Sequence, residues 1–419
     1  MCEQAWQESR SSGRQQDRRR GARAARVATT VALGAMALGV LAPPAAFAAA
    51  GPDTAGTVDT VDTVRQGLNA LVRADGLPGA LASVKDRKGR TRTYTAGVGD
   101  LATGSAVPVD GQVRIGSNTK TFTAVVVLQL VAEGKIGLDA KVDTYLPGLV
   151  HGKGIDGRHI TVRQLLQHTS GLPDYSKYLG DDVRYFEPRE LLGIALRHEA
   201  RFAPGAKWEY SNTNYVLAGL IIQKVTGRPL AEEMDRRVIK RAGLRHTYFP
   251  GPGDATIREP HPKGYYQDSA GAPLRDVTEI DPSWGWAAGQ VISTNSDLNR
   301  FFTALLAGRL LPPAQLAQMR TTVPAGHPFA TGARYGLGLV SIPLSCGGVA
   351  WGHGGSFPGY ETRGGVTDDG RAANVAVTVQ PSDKAAMKRV ERVVDTALCR
   401  ETFTVGTATQ AQDPRQTDH

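Results

Sequence analysis

Ser117 and Lys120 stand three residues apart in Arg-Ile-Gly-Ser-Asn-Thr-Lys-Thr-Phe-Thr-Ala, where strand-like sequence gives way to helical sequence. Side chains at i and i+3 share one helix face, about 5–6 Å apart at Cβ, so a hydroxyl and an ammonium can meet there. Phe122, Val125, Val126, Val127, Leu128, Leu130 and Val131 follow with little polar interruption, and Gly134 can cap the end. A helix apolar all round is a buried helix. A serine at its start meets free backbone N–H groups and the positive end of the helix dipole, which favour developing negative charge. A lysine desolvated beside it has its pKa pushed down and can act as a base. The plain alternative is a serine N-cap with a solvated lysine. Chance supplies so short a pattern readily, although this is its only occurrence in the chain.

Two further groups could complete such a site. Tyr210 and Asn212 lie in Trp-Glu-Tyr-Ser-Asn-Thr-Asn-Tyr, just before an apolar helical stretch. A phenol on that turn can exchange a proton with a serine if a nearby lysine favours its phenolate, and the asparagine amide can grip a substrate amide. His353, Gly354 and Gly355 lie in Ala-Trp-Gly-His-Gly-Gly-Ser-Phe-Pro-Gly. Glycines at an edge strand let a ligand backbone approach, an N–H beyond them can complete an oxyanion hole, and the histidine adds a donor. Each taken alone also reads blandly, as an ordinary helix start and as a glycine-rich turn with a surface histidine.

The elements that must position these residues fall into a pattern. Leu81 to Lys85 and Thr91 to Val98 flank a turn at Asp86 to Gly89, and Tyr360 to Val366 and Ala373 to Val379 bracket Asp368, Asp369 and Gly370, so each end of the chain supplies a hairpin. Between them, helical spacing marks Thr121 to Ala132, Val162 to Gln167, Glu190 to Leu196, Tyr215 to Val225 and Leu298 to Leu305. Val61 to Ala74 and Lys384 to Leu398 read as terminal helices. The expected fold class is α+β: an antiparallel sheet from both chain ends, flanked by helices, with a mostly helical region inserted. In numbers, the sheet region covers about 60–116 and 288–404 and the helical region about 117–287, within one domain over 51–404.

Arg14, Arg18, Arg19, Arg20, Arg23 and Arg26 precede an apolar stretch from Val27 to Leu41, and Ala46-Phe47-Ala48 supplies a cleavage pattern, so residues 1–48 read as an export signal and the mature protein as secreted. An uncleaved anchor is the competing reading. The apolar run falls short of the roughly 20 residues that span a bilayer, so no stable membrane span is expected. The last residues, 405–419, are polar and patternless and read as a disordered tail. Seven arginines against three acidic residues lie in the leader, leaving about +5 of the net charge of +9. That is mild, and no basic run with interleaved aromatics argues for nucleic acid. Of three cysteines, Cys346 and Cys399 remain as a pair, either a disulfide or two buried thiols. No serine sits in the Gly-x-Ser-x-Gly elbow of α/β-hydrolases. The nine histidines are scattered and no His-Glu-x-x-His occurs, so no metal and no cofactor are expected.

Taken together, Ser117-x-x-Lys120, Tyr210-x-Asn212 and His353-x-Gly355, in this order, resemble the motifs of the serine penicillin-recognising enzymes, in the branch of D-alanyl-D-alanine carboxypeptidases and class C β-lactamases. Leu165 to Leu172 and Ala288 to Asp297 match as well, and the resemblance covers roughly residues 60 to 400. It implies that Ser117 is acylated, that Lys120 is its proton partner and that Tyr210 is the general base. It further implies an oxyanion hole from the Ser117 and Ser356 N–H groups, substrate contacts from Asn212, His353 and Gly355, a cleft wall at Trp284, and a Cys346–Cys399 disulfide. The implied substrates are D-Ala-D-Ala peptides or β-lactams; the activity the resemblance favours is that of a D-alanyl-D-alanine carboxypeptidase, with β-lactamase, esterase or D-aminopeptidase-like activity as alternatives and a non-catalytic receptor as the rival of another class. The sequence leaves the oligomeric state open, with a monomer expected. One departure bears on substrate: the basic residue expected about a dozen positions before His353 is replaced by Leu339-Val340-Ser341-Ile342, and the hydroxyl expected at 354 is a glycine.

Overall fold

The computed structural model describes residues 60–180, 184–269 and 271–400; the expected leader and tail lie outside them. Nine strands form one sheet. They are β1 (Gly79–Lys85), β2 (Thr91–Gly97), β3 (Val323–Pro324), β4 (Arg334–Tyr335), β5 (Val340–Pro343), β6 (Val349–Gly352), β7 (Gly355–Phe357), β8 (Tyr360–Thr367) and β9 (Ala372–Val377). Their order is β2-β1-β9-β8-β6-β5-β4-β3, with β7 also on β8, and every pairing is antiparallel. The first strand lies beside the last, with Ala80 opposite Val377 and Lys85 opposite Ala372, so the sheet is indeed made from both ends of the chain.

Side-chain alternation gives the sheet two apolar faces. Ala80, Ala82, Ala373, Val375 and Val377 face α1 (Thr60–Asp75) and the C-terminal helix, and join Leu68, Leu71, Val390 and Leu398 in one core. Leu81, Val366, Ala372 and Ala376 face the other way, into the larger core shared with the helical region. At its centre runs α2 (Thr119–Ala132), buried from Thr119 to Leu130 as its largely apolar sequence demands. The α3 helix (Thr213–Thr226) packs beside it and ends on Gly227, whose φ of 67° supplies the left-handed cap. Against the inner sheet face lies α4 (Asn295–Leu306), where Asn295 and Asn299 Nδ2 donate to the carbonyls of Leu81 and Ser83. The C-terminal helix is α5 (Lys384–Cys399), and its last residue is disulfide-bonded to Cys346. Among the described residues no helix is long and apolar enough to cross a membrane. The three short strands between 323 and 343, which extend the sheet past β6, were not apparent in the sequence, because strands of two to four residues carry too little periodicity to be read.

Candidate active site

Ser117 sits in a 3-10 turn, Gly116–Asn118, that leads directly into α2. The turn is pinned from below by Asn118, whose Nδ2 donates to the Ile115 carbonyl at 2.9 Å and to Thr362 Oγ1 at 2.8 Å. Two glycines bring β7 against it. A Cβ on Gly116 would stand 2.5 Å from the Ser356 carbonyl oxygen and 2.9 Å from its nitrogen, and one on Gly355 would stand 2.8 Å from Ser117 N. The turn and the strand therefore touch backbone to backbone, the arrangement that two oxyanion donors need. The Ser356 hydroxyl turns away and donates to buried Glu361 at 2.5 Å, leaving only the main chain of Ser356 to the cleft.

Lys120, fully buried, directs Nζ at three acceptors: Ser117 Oγ at 2.9 Å, Asn212 Oδ1 at 2.7 Å and the Ala288 carbonyl at 2.9 Å. An ammonium has three donors and no acceptor, so this cradle suits its charged form. The i, i+3 meeting read from the sequence is present. Asn212 caps α3 by position but makes no side-chain cap bond. Its Nδ2 donates to the Asp174 carboxylate at 3.1 and 3.3 Å and to Ser176 Oγ at 3.2 Å, which fixes the amide with its oxygen on Lys120. The amide expected to grip substrate is thus engaged by the protein on both ends.

Tyr210 is 5% exposed, and Lys120 Nζ lies 4.8 Å from its ring centroid. The Lys120 ammonium thus lies beside both the Ser117 hydroxyl and the ring of Tyr210, 90 residues further along the chain. His353 is also buried, with its ring centroid 6.4 Å from that of Tyr210. The Tyr335 hydroxyl donates to its Nε2 at 3.0 Å and its Nδ1 donates to the Gly354 carbonyl at 2.5 Å, so both ring nitrogens are committed. Burial, helped by the nearby Lys120 charge, holds its pKa at about 3, and the imidazole is neutral. Where a hydroxyl was expected at 354, the Arg363 guanidinium covers Gly354, and Arg363 is itself paired with Glu361 and Glu391.

Aromatic rings flank these residues. Trp284 stacks on Phe357 with centroids 4.8 Å apart, and its carbonyl accepts from Tyr175 Oη. On the other side Tyr210, Trp208, Phe329 and Tyr335 form a cluster with His168 and His353. Asp174, His168, Tyr335 and Phe329 were not singled out from sequence. Asp174 and His168 fall in or beside the Leu165–Leu172 stretch, whose match to a family pattern was the one available signal. Among the described residues no group of three or more His, Cys, Asp or Glu could hold a metal.

A D-stereospecific amidohydrolase from Streptomyces sp. superposes with a TM-score of 0.73 and 42% identity, covering 80% of this chain and 98% of that one. The D-amino acid amidase from Ochrobactrum anthropi SV3, solved with L-phenylalanine amide, gives a TM-score of 0.72 and 28% identity, covering 81% and 97%. A penicillin-binding protein of Bacillus subtilis (strain 168) is 30% identical over 264 residues, 59% of this chain and 56% of the relative. The chain thus spans under three fifths of the length of the first curated relatives it matches. Residues 62–398 match the family model described as Beta-lactamase, and on that match, with its β-lactamase/transpeptidase-like fold, the chain belongs to the beta-lactamase family of serine hydrolases.

Proposed function

We propose that the protein hydrolyses amide bonds of D-configured amino-acid derivatives through an acyl-enzyme on Ser117. The observation that carries this reading is the 42% identity with the D-stereospecific amidohydrolase across nearly that protein's whole length. In the reaction, Ser117 Oγ attacks the amide carbonyl while its proton passes to the phenolate of Tyr210, held in that form by the facing Lys120 ammonium. The N–H groups of Ser117 and Ser356 receive the oxyanion. The tetrahedral adduct collapses as Tyr210 returns the proton to the leaving amine, giving a serine ester. Water then attacks the ester, Tyr210 accepts its proton and passes it to Ser117, and the acid is released. The rings of Trp284, Phe357, Trp208 and Phe329 favour an aromatic or other apolar acyl side chain.

A D-Ala-D-Ala carboxypeptidase is the second reading, favoured by the penicillin-binding relative. It needs a cation for the peptide's terminal carboxylate. The stretch expected to provide one is Val340-Ser341-Ile342, paired inside the sheet with Ala350 to Gly352. The arginine-rich leader and apolar run further support an exported enzyme. The test is hydrolysis of D- and L-phenylalanine p-nitroanilide and of a D-Ala-D-Ala peptide by the full chain and by Ser117→Ala. Hydrolysis of the D-anilide alone, lost in Ser117→Ala, is expected. Faster turnover of the peptide would favour the carboxypeptidase, and L-selectivity would refute the proposal.

A further inference from the structure

We infer that His168 is the positioning residue for Tyr210: a neutral imidazole that clamps the segment carrying the phenol and so sets where it stands against Lys120 and Ser117. This rests on Tyr210 as the proton acceptor proposed above. Tyr210 lies in an irregular stretch just before α3, so no helix or strand ladder fixes it. The backbone N–H groups on both sides of it are instead taken up by one residue, while the side chains of Glu209 and Ser211 reach Arg201 and Pro173. The Glu209 N–H donates to the His168 carbonyl at 3.0 Å, and the Ser211 N–H donates to His168 Nδ1 at 3.2 Å. Between these two bonds the imidazole lies against the phenol itself, with ring centroids 4.3 Å apart and planes inclined at 31°.

The details of the ring agree with that purpose. Nδ1 receives both Ser211 N–H and Asn214 Nδ2, at 3.0 Å, while Asn214 is oriented by Ser170 Oγ on its own oxygen. Nδ1 therefore carries the lone pair and the proton sits on Nε2, which has no hydrogen-bond partner in the structure. Full burial, and then the nearby Lys120 ammonium, push the His168 pKa well below its ordinary value. The clamp is thus uncharged, and Lys120 is left as the cation that faces Tyr210. The backbone at His168 has φ 60°, a left-handed conformation that a side chain strains and glycine adopts freely. Glycine would provide the bend alone, so the imidazole is the part this position uses.

Two variants separate the clamp from simple packing. His168→Gly keeps the bend and the carbonyl and deletes the ring. His168→Asn tolerates the left-handed backbone and offers an amide oxygen close to the place of Nδ1. With D-phenylalanine p-nitroanilide, His168→Gly is expected to lose about 100-fold in kcat, the effect of roughly 1 Å of misplacement, with KM changed by less than about threefold. His168→Asn is expected to recover to within about tenfold of wild type. A folded His168→Gly that keeps its kcat, or an Asn variant as slow as Gly, overturns the inference. A crystal structure of His168→Gly tests the clamp without any substrate. Displacement of residues 209–211 supports the clamp and their staying in place refutes it, even if the wild-type protein proves idle on every amide.

Discussion

Substituting alanine for Gly355 probes the oxyanion arrangement directly. The φ at Gly355 lies outside the left-handed region, so alanine brings no backbone strain, only volume. Its Cβ would overlap the Ile115 carbonyl oxygen and stand 2.8 Å from Ser117 N and 2.9 Å from Ile115 C, where ordinary contact begins at 3.4 Å. All of these atoms are main chain in the turn that carries the nucleophile, so none can swing aside, and β7 must back away by more than about 1 Å. The retreat carries the Ser356 N–H with it. One lost oxyanion donor lowers kcat about 10²–10³-fold. The fold should survive, because β7 is a three-residue strand on one end of β8 and overpacking of this kind costs about 1–3 kcal/mol. The neighbouring glycine is an internal control. A Cβ on Gly354 would meet Arg363 Nη1 at 2.8 Å, the far end of a side chain that can move. The assay is the second-order rate of covalent labelling by a fluorescent penicillin, with thermal unfolding as a check. Gly355→Ala should label at least about 100-fold more slowly and Gly354→Ala within about fivefold of wild type. Equal rates for the two variants would refute the placement of the Ser356 amide.

Ser117→Ala should abolish labelling by the penicillin while leaving the melting temperature near that of wild type; residual covalent adduct would remove Ser117 as the nucleophile. Asn212→Leu takes away an acceptor from a buried ammonium and a donor from Asp174, so it should destabilise the protein by about 1–3 kcal/mol in denaturant melts as well as slow acylation; an unchanged midpoint would contradict the arrangement. His353, with a pKa of about 3, and His168, well below 6.5, stay neutral in the folded protein, whereas the unfolded chain protonates both once pH falls below 6.5. Stability should be complete above pH 6.5 and fall by up to about 1.4 kcal/mol per histidine per pH unit as the solution is acidified toward 4.5, before carboxylates such as Glu133, held at about 2 chiefly by Arg237, begin to contribute; a flat profile between pH 6.5 and 4.5 would show that these rings charge in place. Removing the Cys346–Cys399 bond, which closes a 53-residue separation, should cost about 4 kcal/mol, read as the difference in unfolding midpoint for the double serine variant.

The sequence by itself determined the local parts of this protein. The largely apolar run after Lys120 makes a buried helix wherever it is placed, and the i, i+3 spacing puts Ser117 and Lys120 on one face of it, because both depend only on the period of the helix. Turn chemistry and alternation likewise marked the two hairpins, β1–β2 and β8–β9. What only the tertiary structure decided is the partner of each polar atom. Asn212 bonds Asp174 and Lys120, and His353 bonds Tyr335, a residue from a two-residue strand with no sequence signature. His168 came to bond the backbone on both flanks of Tyr210 from more than 40 residues away. A hydrogen bond is settled by an ångström or less of separation and by angle, and those are set when distant segments pack, which no spacing along the chain can express.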